Sequence, residues 1–115
     1  METNPGCRDQ KVRFFPLEGN QFHSVELSVD GLNIPYQFRL WNDKQATIFF
    51  IVKKNSVLLS RLKVGSTIAM KYYSADRQNP VQQYPTRIVG IVSEKDGRFR
   101  NHCRVELAIV DGVAA

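Results

Sequence analysis

This chain of 115 residues has few of the features that most often reveal a chemistry. No apolar run approaches the roughly 18 residues that a membrane span requires, and residues 1–10 lack the apolar core of a secretory signal. Its two cysteines, Cys7 and Cys103, have no paired spacing, which disfavours a disulfide framework or a zinc site. No glycine-rich phosphate loop and no nucleophile elbow occur. We therefore expect one cytoplasmic, non-enzymatic domain without a metal or cofactor.

Acidic residues are missing from one long stretch of the chain. Between Lys44 and Tyr73 there are six basic residues and no acidic one, whereas the whole chain has 16 basic and 11 acidic residues. Such a stretch predicts a positive face that attracts phosphates and other anions. The alternative is a solvated basic surface with no ligand.

Alternation of apolar and polar residues dominates what is present. Val25, Leu27 and Val29 alternate with polar residues, and Asp30-Gly31 after them is a tight-turn pair. Similar patterns predict six strands, over 24–29, 34–40, 46–52, 66–73, 86–92 and 103–109. Residues 74–83 are predicted to be an exposed loop. The sequence thus predicts an all-β fold, a small six-stranded antiparallel barrel over residues 21–112, preceded by a partly flexible arm over residues 1–20.

One short helix interrupts the strands. Asn55 or Ser56 is placed to cap it, and Gly65 lies where it would stop. Leu58, Leu59 and Leu62 would share its buried face. The basic residues around this helix (Lys53, Lys54, Arg61 and Lys63) predict either an anion patch at one end of the barrel or a plain charged rim.

The segment from Leu58 to Ile68, followed by a long strand, and the closing hairpin of 86–91 and 105–109 resemble the PilZ family and the N-terminal barrel of flagellar-brake proteins. The similarity covers roughly residues 22–110. It implies a bacterial cytoplasmic split barrel that binds cyclic di-GMP, a nucleotide, and passes the signal to a protein partner. The function that follows from the resemblance is a regulatory or adaptor module without catalysis.

The family binds its ligand through an Arg-x-x-x-Arg arm and an Asp/Asn-x-Ser-x-x-Gly turn. Here Arg8 and Arg13 have one residue too many between them, and of the turn motif only Ser56 matches. Lys54 stands where the acidic residue belongs, and Leu59 where the glycine belongs. The resemblance therefore implies a degenerate site. The candidate ligand-binding residues are Arg8, Arg13, Lys53, Lys54 and Ser56.

Two other functions remain open at this point. The basic 44–73 segment could serve a small barrel that binds nucleic acid, with bases stacking on Trp41, Tyr72, Tyr73 or Tyr84. The third alternative is a split barrel that binds a flavin.

Overall fold

The computed structural model describes residues 11–13, 22–45, 47–75, 78 and 80–111. Eight strands are found there: β1 Lys11–Arg13, β2 Ser24–Leu27, β3 Tyr36–Arg39, β4 Trp41–Asn42, β5 Ile48–Lys53, β6 Thr67–Tyr73, β7 Val81–Glu94 and β8 His102–Asp111. Two short 3₁₀ helices, Leu59–Arg61 and Gly97–Phe99, lie between strands.

The strands form one antiparallel sheet that nearly closes into a barrel. Its order is β3-β2-β6-β7-β8-β5-β4. β3 and β4 are the first and last strands of this order, yet only Leu40 separates them along the chain. One continuous segment of the chain therefore forms both edges of the sheet and brings them together. The predicted small all-β barrel is confirmed. The order above contains six strand segments if β3 and β4 are counted as one, and β1, which pairs with β8 outside this order, adds a seventh.

The β6–β7 pairing extends further than the sequence predicts. Val81–Gln83, predicted as loop, pair with Tyr73–Lys71 of β6. The prediction is wrong here because pairing with a neighbour stabilises a polar strand whose own sequence does not indicate one. A β-bulge at Gly90 is seen as a register shift between Ile88 and Gly90, and a glycine inside a strand is typical of such a site. A Cβ atom on Gly90 would lie 2.6 Å from Glu106 Oε1, so a side chain does not fit there without movement.

The core lies inside the barrel. Ile48, Phe50 and Val52 of β5 point inwards, and Val105 and Leu107 of β8 meet them. Phe49 points outwards but is also buried, because the Arg104 guanidinium lies 4.4 Å from its ring centroid. This accounts for the apolar character of both faces of β5.

A hydrogen bond joins β6 and β7 inside the barrel. The Tyr72 and Thr86 hydroxyls are 2.7 Å apart, and both residues are fully buried. Burial raises the pKa of Tyr72 above its ordinary value, since a charged phenolate would lose its hydration there.

The segment between β5 and β6 covers one end of the barrel, which we name the cap end. The β2–β3 turn and the β7–β8 hairpin lie at the same end, because Leu27 pairs with Tyr36 and Lys53 pairs with His102. Leu58 and Leu62 anchor the segment in the core. The helix is present as a single 3₁₀ turn, and the one in the β7–β8 hairpin was not predicted from the sequence.

Part of the predicted N-terminal arm is a strand. Lys11–Arg13 pair with Asp111–Ile109, at the end of the barrel opposite the cap end. None of the helices in the described parts of the chain has the length and apolar character needed to cross a bilayer.

Candidate functional site

Three of the five predicted ligand-binding residues lie together at the cap end. Lys53 ends β5, opposite His102 of β8. The Lys54 amide donates to the Asn101 carbonyl at 3.3 Å, and the Ser56 amide donates to the Lys53 carbonyl at 3.0 Å. These backbone bonds fix residues 53–56 beside the start of β8.

A groove opens beside these residues, which we name the aromatic groove. Its volume is about 450 Å³. It is lined by Tyr36, Phe38, Ile51, Val52, Lys53, Asn55, Ser56 and His102. An adjoining cavity of about 350 Å³ shares Lys53, Asn55 and His102 and adds Lys54 and Asn101. The two form one continuous surface because three of their lining residues are common.

The groove exists because the barrel wall is split at this point. β3 pairs with β2, whereas β5 pairs with β4 only at Ile48 and Phe49. In the described ranges no ladder joins β3 to Ile51–Lys53 of β5. Side chains fill the split instead, since the Phe38 and Phe50 rings stack with centroids 4.4 Å apart and planes 11° apart.

The groove has a flat aromatic lining. Tyr36 and Phe38 are half-buried, and their rings are nearly parallel, 8° apart in plane with centroids at 6.4 Å. Ring faces of this kind bind other planar groups, such as nucleobases, or cations.

The rim of the groove is cationic. Lys53 and Lys54 are exposed, and neither makes a salt bridge to another described residue. The Ser56 Oγ accepts from the Leu58 amide at 3.1 Å, so its own hydroxyl proton can be donated to a ligand. His102 Nδ1 lies 2.9 Å from the Arg100 carbonyl, and because a carbonyl only accepts, Nδ1 carries the proton. The Nδ1 proton of His102 is thus already used, and the donors that the rim presents to an anion are the Lys53 and Lys54 ammonium groups and the Ser56 hydroxyl.

The two predicted arginines are not brought into this site. Arg8 lies outside the described residues. The Arg13 backbone pairs with Ile109, seven residues along β8 from His102, which is roughly 23 Å at the usual rise of a strand. The strand register therefore separates Arg13 from Lys53 instead of joining them.

The other two basic residues of the predicted anion patch line a different cavity at the cap end, which we name the basic cavity. It has a volume of about 420 Å³ and is lined by Ser28, Val29, Asp30, Arg61, Lys63, Ser66, Thr67 and Ile68. The predicted patch of four cations is therefore divided between two cavities at the same end of the barrel.

The aromatic residues considered for base stacking lie in three separate places. Tyr72 is buried, and its ring packs against Tyr84, 5.8 Å away. The Tyr73 hydroxyl donates to Glu26 at 2.7 Å on the outer wall, and this hydrogen bond raises the pKa of Tyr73. Trp41 lies on another outer face, with the Arg39 guanidinium 4.2 Å from its ring centroid. They do not form one stacking platform.

Sequence reasoning missed Tyr36, Phe38, Asn101 and His102 as site residues. Alternation identifies Tyr36 and Phe38 as inward-facing, but an inward residue is usually core. The groove is formed by β3, residues 53–56 and the start of β8. These three parts of the chain are brought together only by the pairing of Lys53 with His102 and by the split beside β3.

Among the described residues, no group of three or more His, Cys, Asp or Glu side chains could hold a metal ion. No family model, curated protein or solved structure was found to match this chain.

Proposed function

We propose that this chain is a non-catalytic binding module of the PilZ-like kind, and that the aromatic groove binds an anionic ligand with a planar ring. The nucleotide class has this chemistry, and cyclic di-GMP is the first ligand to test. Bound ligand would change the contacts that the cap end offers to a protein partner, which is how a regulatory or adaptor module acts.

One observation carries the proposal: the groove combines flat rings inside with uncompensated cations at its rim. Tyr36 and Phe38 offer ring faces, and Lys53 lines both the groove and the adjoining cavity. A nucleotide needs both features at once, since its base stacks and its phosphates require charge-assisted donors. An apolar ligand would not need the cations, and a simple anion would not need the rings.

The groove is also large enough to admit a base while remaining open to solvent. The split between β3 and β5 leaves side chains, without a continuous hydrogen-bonded wall, on one side of it. Side chains can change rotamer at a lower cost than breaking a strand ladder. A ring could therefore insert beside Phe38 without unfolding the barrel.

Isothermal titration with cyclic di-GMP, GTP and GMP tests the proposal. We expect micromolar or tighter binding by the wild type and at least tenfold weaker binding by Lys53→Ala/Lys54→Ala, because each charge-assisted hydrogen bond contributes roughly 1.5–3 kcal/mol. Lys44→Ala/Lys71→Ala is the matched control, since both lysines are exposed and lie outside the groove lining. Tyr36→Ala should also weaken binding.

The outcomes separate the parts of the proposal. Binding of GTP but not of cyclic di-GMP would keep the nucleotide site and reject the PilZ-like ligand. Equal weakening by both lysine pairs would show general charge attraction and reject the groove. No heat with any of the three nucleotides would reject nucleotide binding altogether. When the nucleotide is added in an NMR titration, the backbone amide signals of residues 36–38, 53–56 and 101–102 should shift together.

A further inference from the structure

The three most exposed large apolar side chains of the described residues all lie at the cap end. Ile34, Val64 and Val57 are 62%, 59% and 58% exposed. Val81, Val89 and Val92 of β7 are less exposed, at 46%, 38% and 43%. Large aliphatic side chains projecting from neighbouring loops mark an interaction surface more often than scattered ones do.

The fold holds these side chains outwards. The segment between β5 and β6, which we name the cap segment, is anchored by the buried Leu58 and Leu62. Their neighbours Val57 and Lys63 therefore face away from the core. The β2–β3 turn, which includes Ile34, is tied to the same segment because Arg61 Nη1 donates to the Asp30 carbonyl at 3.4 Å. A Cβ atom on Gly31 would lie 2.6 Å from the same nitrogen. The turn and the cap segment therefore form one packed surface.

The same surface is strongly cationic. Lys53, Lys54, Arg61 and Lys63 belong to it, and the sequence has no acidic residue between Asp43 and Asp76. Arg61 and Lys63 line the basic cavity together with the hydroxyl residues Ser28, Ser66 and Thr67. One carboxylate residue, Asp30, also lines it. The Ser66 hydroxyl already donates to the Lys63 carbonyl at 2.6 Å. The two cations and the hydroxyl groups of Ser28 and Thr67 are therefore the donors available to a phosphate group.

We propose that the cap end docks on an anionic membrane surface. The three aliphatic side chains enter the boundary between headgroups and acyl chains, and the basic cavity receives a lipid phosphate. Peripheral docking of this kind combines buried apolar area with attraction to anionic lipids. Nucleic acid fits less well, because aliphatic tips offer no ring face for a base. This inference does not depend on the ligand of the aromatic groove.

Co-sedimentation with vesicles tests the charge requirement. We expect binding to vesicles of phosphatidylcholine mixed with phosphatidylglycerol and little binding to phosphatidylcholine alone. Arg61→Gln/Lys63→Gln removes two cations and should reduce partitioning by roughly 25-fold, given the roughly fivefold effect of each cation near an anionic surface. Lys44→Gln/Lys71→Gln removes the same charge elsewhere and should have a smaller effect.

A second pair of variants tests the apolar requirement. Val57→Ser/Val64→Ser should weaken binding to anionic vesicles by about tenfold, because less apolar area enters the interface. Val81→Ser is the control, since Val81 is exposed at the opposite end of the barrel. All these side chains are exposed, so folding should persist, and circular dichroism of each variant checks this.

Three results would overturn the proposal. The first is no binding to anionic vesicles at low salt. The second is binding that the valine variants leave unchanged, which would mean adsorption by charge alone. The third is equal or stronger binding to polyglutamate that also depends on the valines, which would assign the surface to an acidic protein partner. Inorganic phosphate should bind too weakly to compete with the vesicles.

Discussion

Strands β8 and β3 lie in the same barrel but are held in different ways. β8 has a ladder along both edges, to β7 on one side and to β5 and β1 on the other. β3 pairs with β2 along one edge, and in the described part of the chain no ladder follows its other edge. Next to β8 the backbone closes the wall, whereas next to β3 the stacked rings of Phe38 and Phe50 close it.

This difference indicates where the wall of the barrel can open. A wall of hydrogen-bonded strands is rigid, because opening it leaves buried backbone groups without partners. A wall of stacked rings can open by side-chain movement alone. The candidate groove lies on the second kind of wall, with Lys53 and His102 at its rim.

Replacing an inward-facing side chain by alanine in β8 and in β3 should give the largest difference in the free energy of unfolding. Leu107 is fully buried on β8 and pairs with Ile48 and Ile88. We expect Leu107→Ala to lower the free energy of unfolding by about 2–5 kcal/mol, since the cavity cannot collapse between two ladders. Phe38→Ala removes a half-buried ring and should cost about 1–2 kcal/mol. Urea unfolding of both variants measures this difference. Equal losses in the free energy of unfolding would contradict the distinction between the two strands.

Removing the hydrogen bond between the Tyr72 and Thr86 hydroxyls should have a smaller effect on stability, and this effect depends on pH. Tyr72→Phe removes its bond to Thr86 and should lower the free energy of unfolding by about 1 kcal/mol near neutral pH. The folded pKa of Tyr72 is raised, so stability is full below pH ~10, where the unfolded phenol is also neutral, and falls as the pH rises further.

Tyr72→Phe should therefore lose stability less steeply than the wild type above that pH. The difference in slope is one proton, about 1.4 kcal/mol per pH unit. Denaturant titrations across this alkaline range provide the measurement. Parallel curves for the two proteins would mean that Tyr72 ionises as readily in the folded chain as in the unfolded one.

Substitutions on the outer face of β8 should have the smallest effect on stability. Arg104 lies over the Phe49 ring, pairs with Glu106 at 2.7 Å and reaches Asp43 at 3.4 Å. These are partly exposed ion pairs, so Arg104→Gln should cost about 1 kcal/mol or less, mainly through the uncovered ring. Arg39→Gln, beside Trp41, is the matched comparison. Thermal unfolding at low and high salt separates the contribution of charge from that of packing. A large loss of stability at both salt concentrations would contradict this ranking.

Much of the fold could be predicted from residue patterns. Val25 and Leu27 alternate with polar residues because one face of a strand is buried, and both lie in the core. Asp30-Gly31 indicated a turn, and a turn is present at residues 30–31. The register of β6 with β7 was not predictable at Val81–Gln83, because those residues are polar and become a strand only through their partner.

The candidate site could be predicted only in part. Lys53, Lys54 and Ser56 were found through charge and through the resemblance to PilZ-like turns. Tyr36 and Phe38 were recognisable as inward-facing but not as groove residues, since a sequence does not show where a barrel wall is left unpaired.

The sequence by itself determined an antiparallel barrel with a cationic segment, because side-chain alternation and charge are local properties of the chain. Tertiary structure alone decided which residues meet. The antiparallel register placed Lys53 opposite His102 and left Arg13 at the far end of β8. The split beside β3 then left the inward-facing rings of Tyr36 and Phe38 half-buried, as the lining of a groove. Strand register and closure depend on contacts between distant parts of the chain, and a local pattern does not encode them.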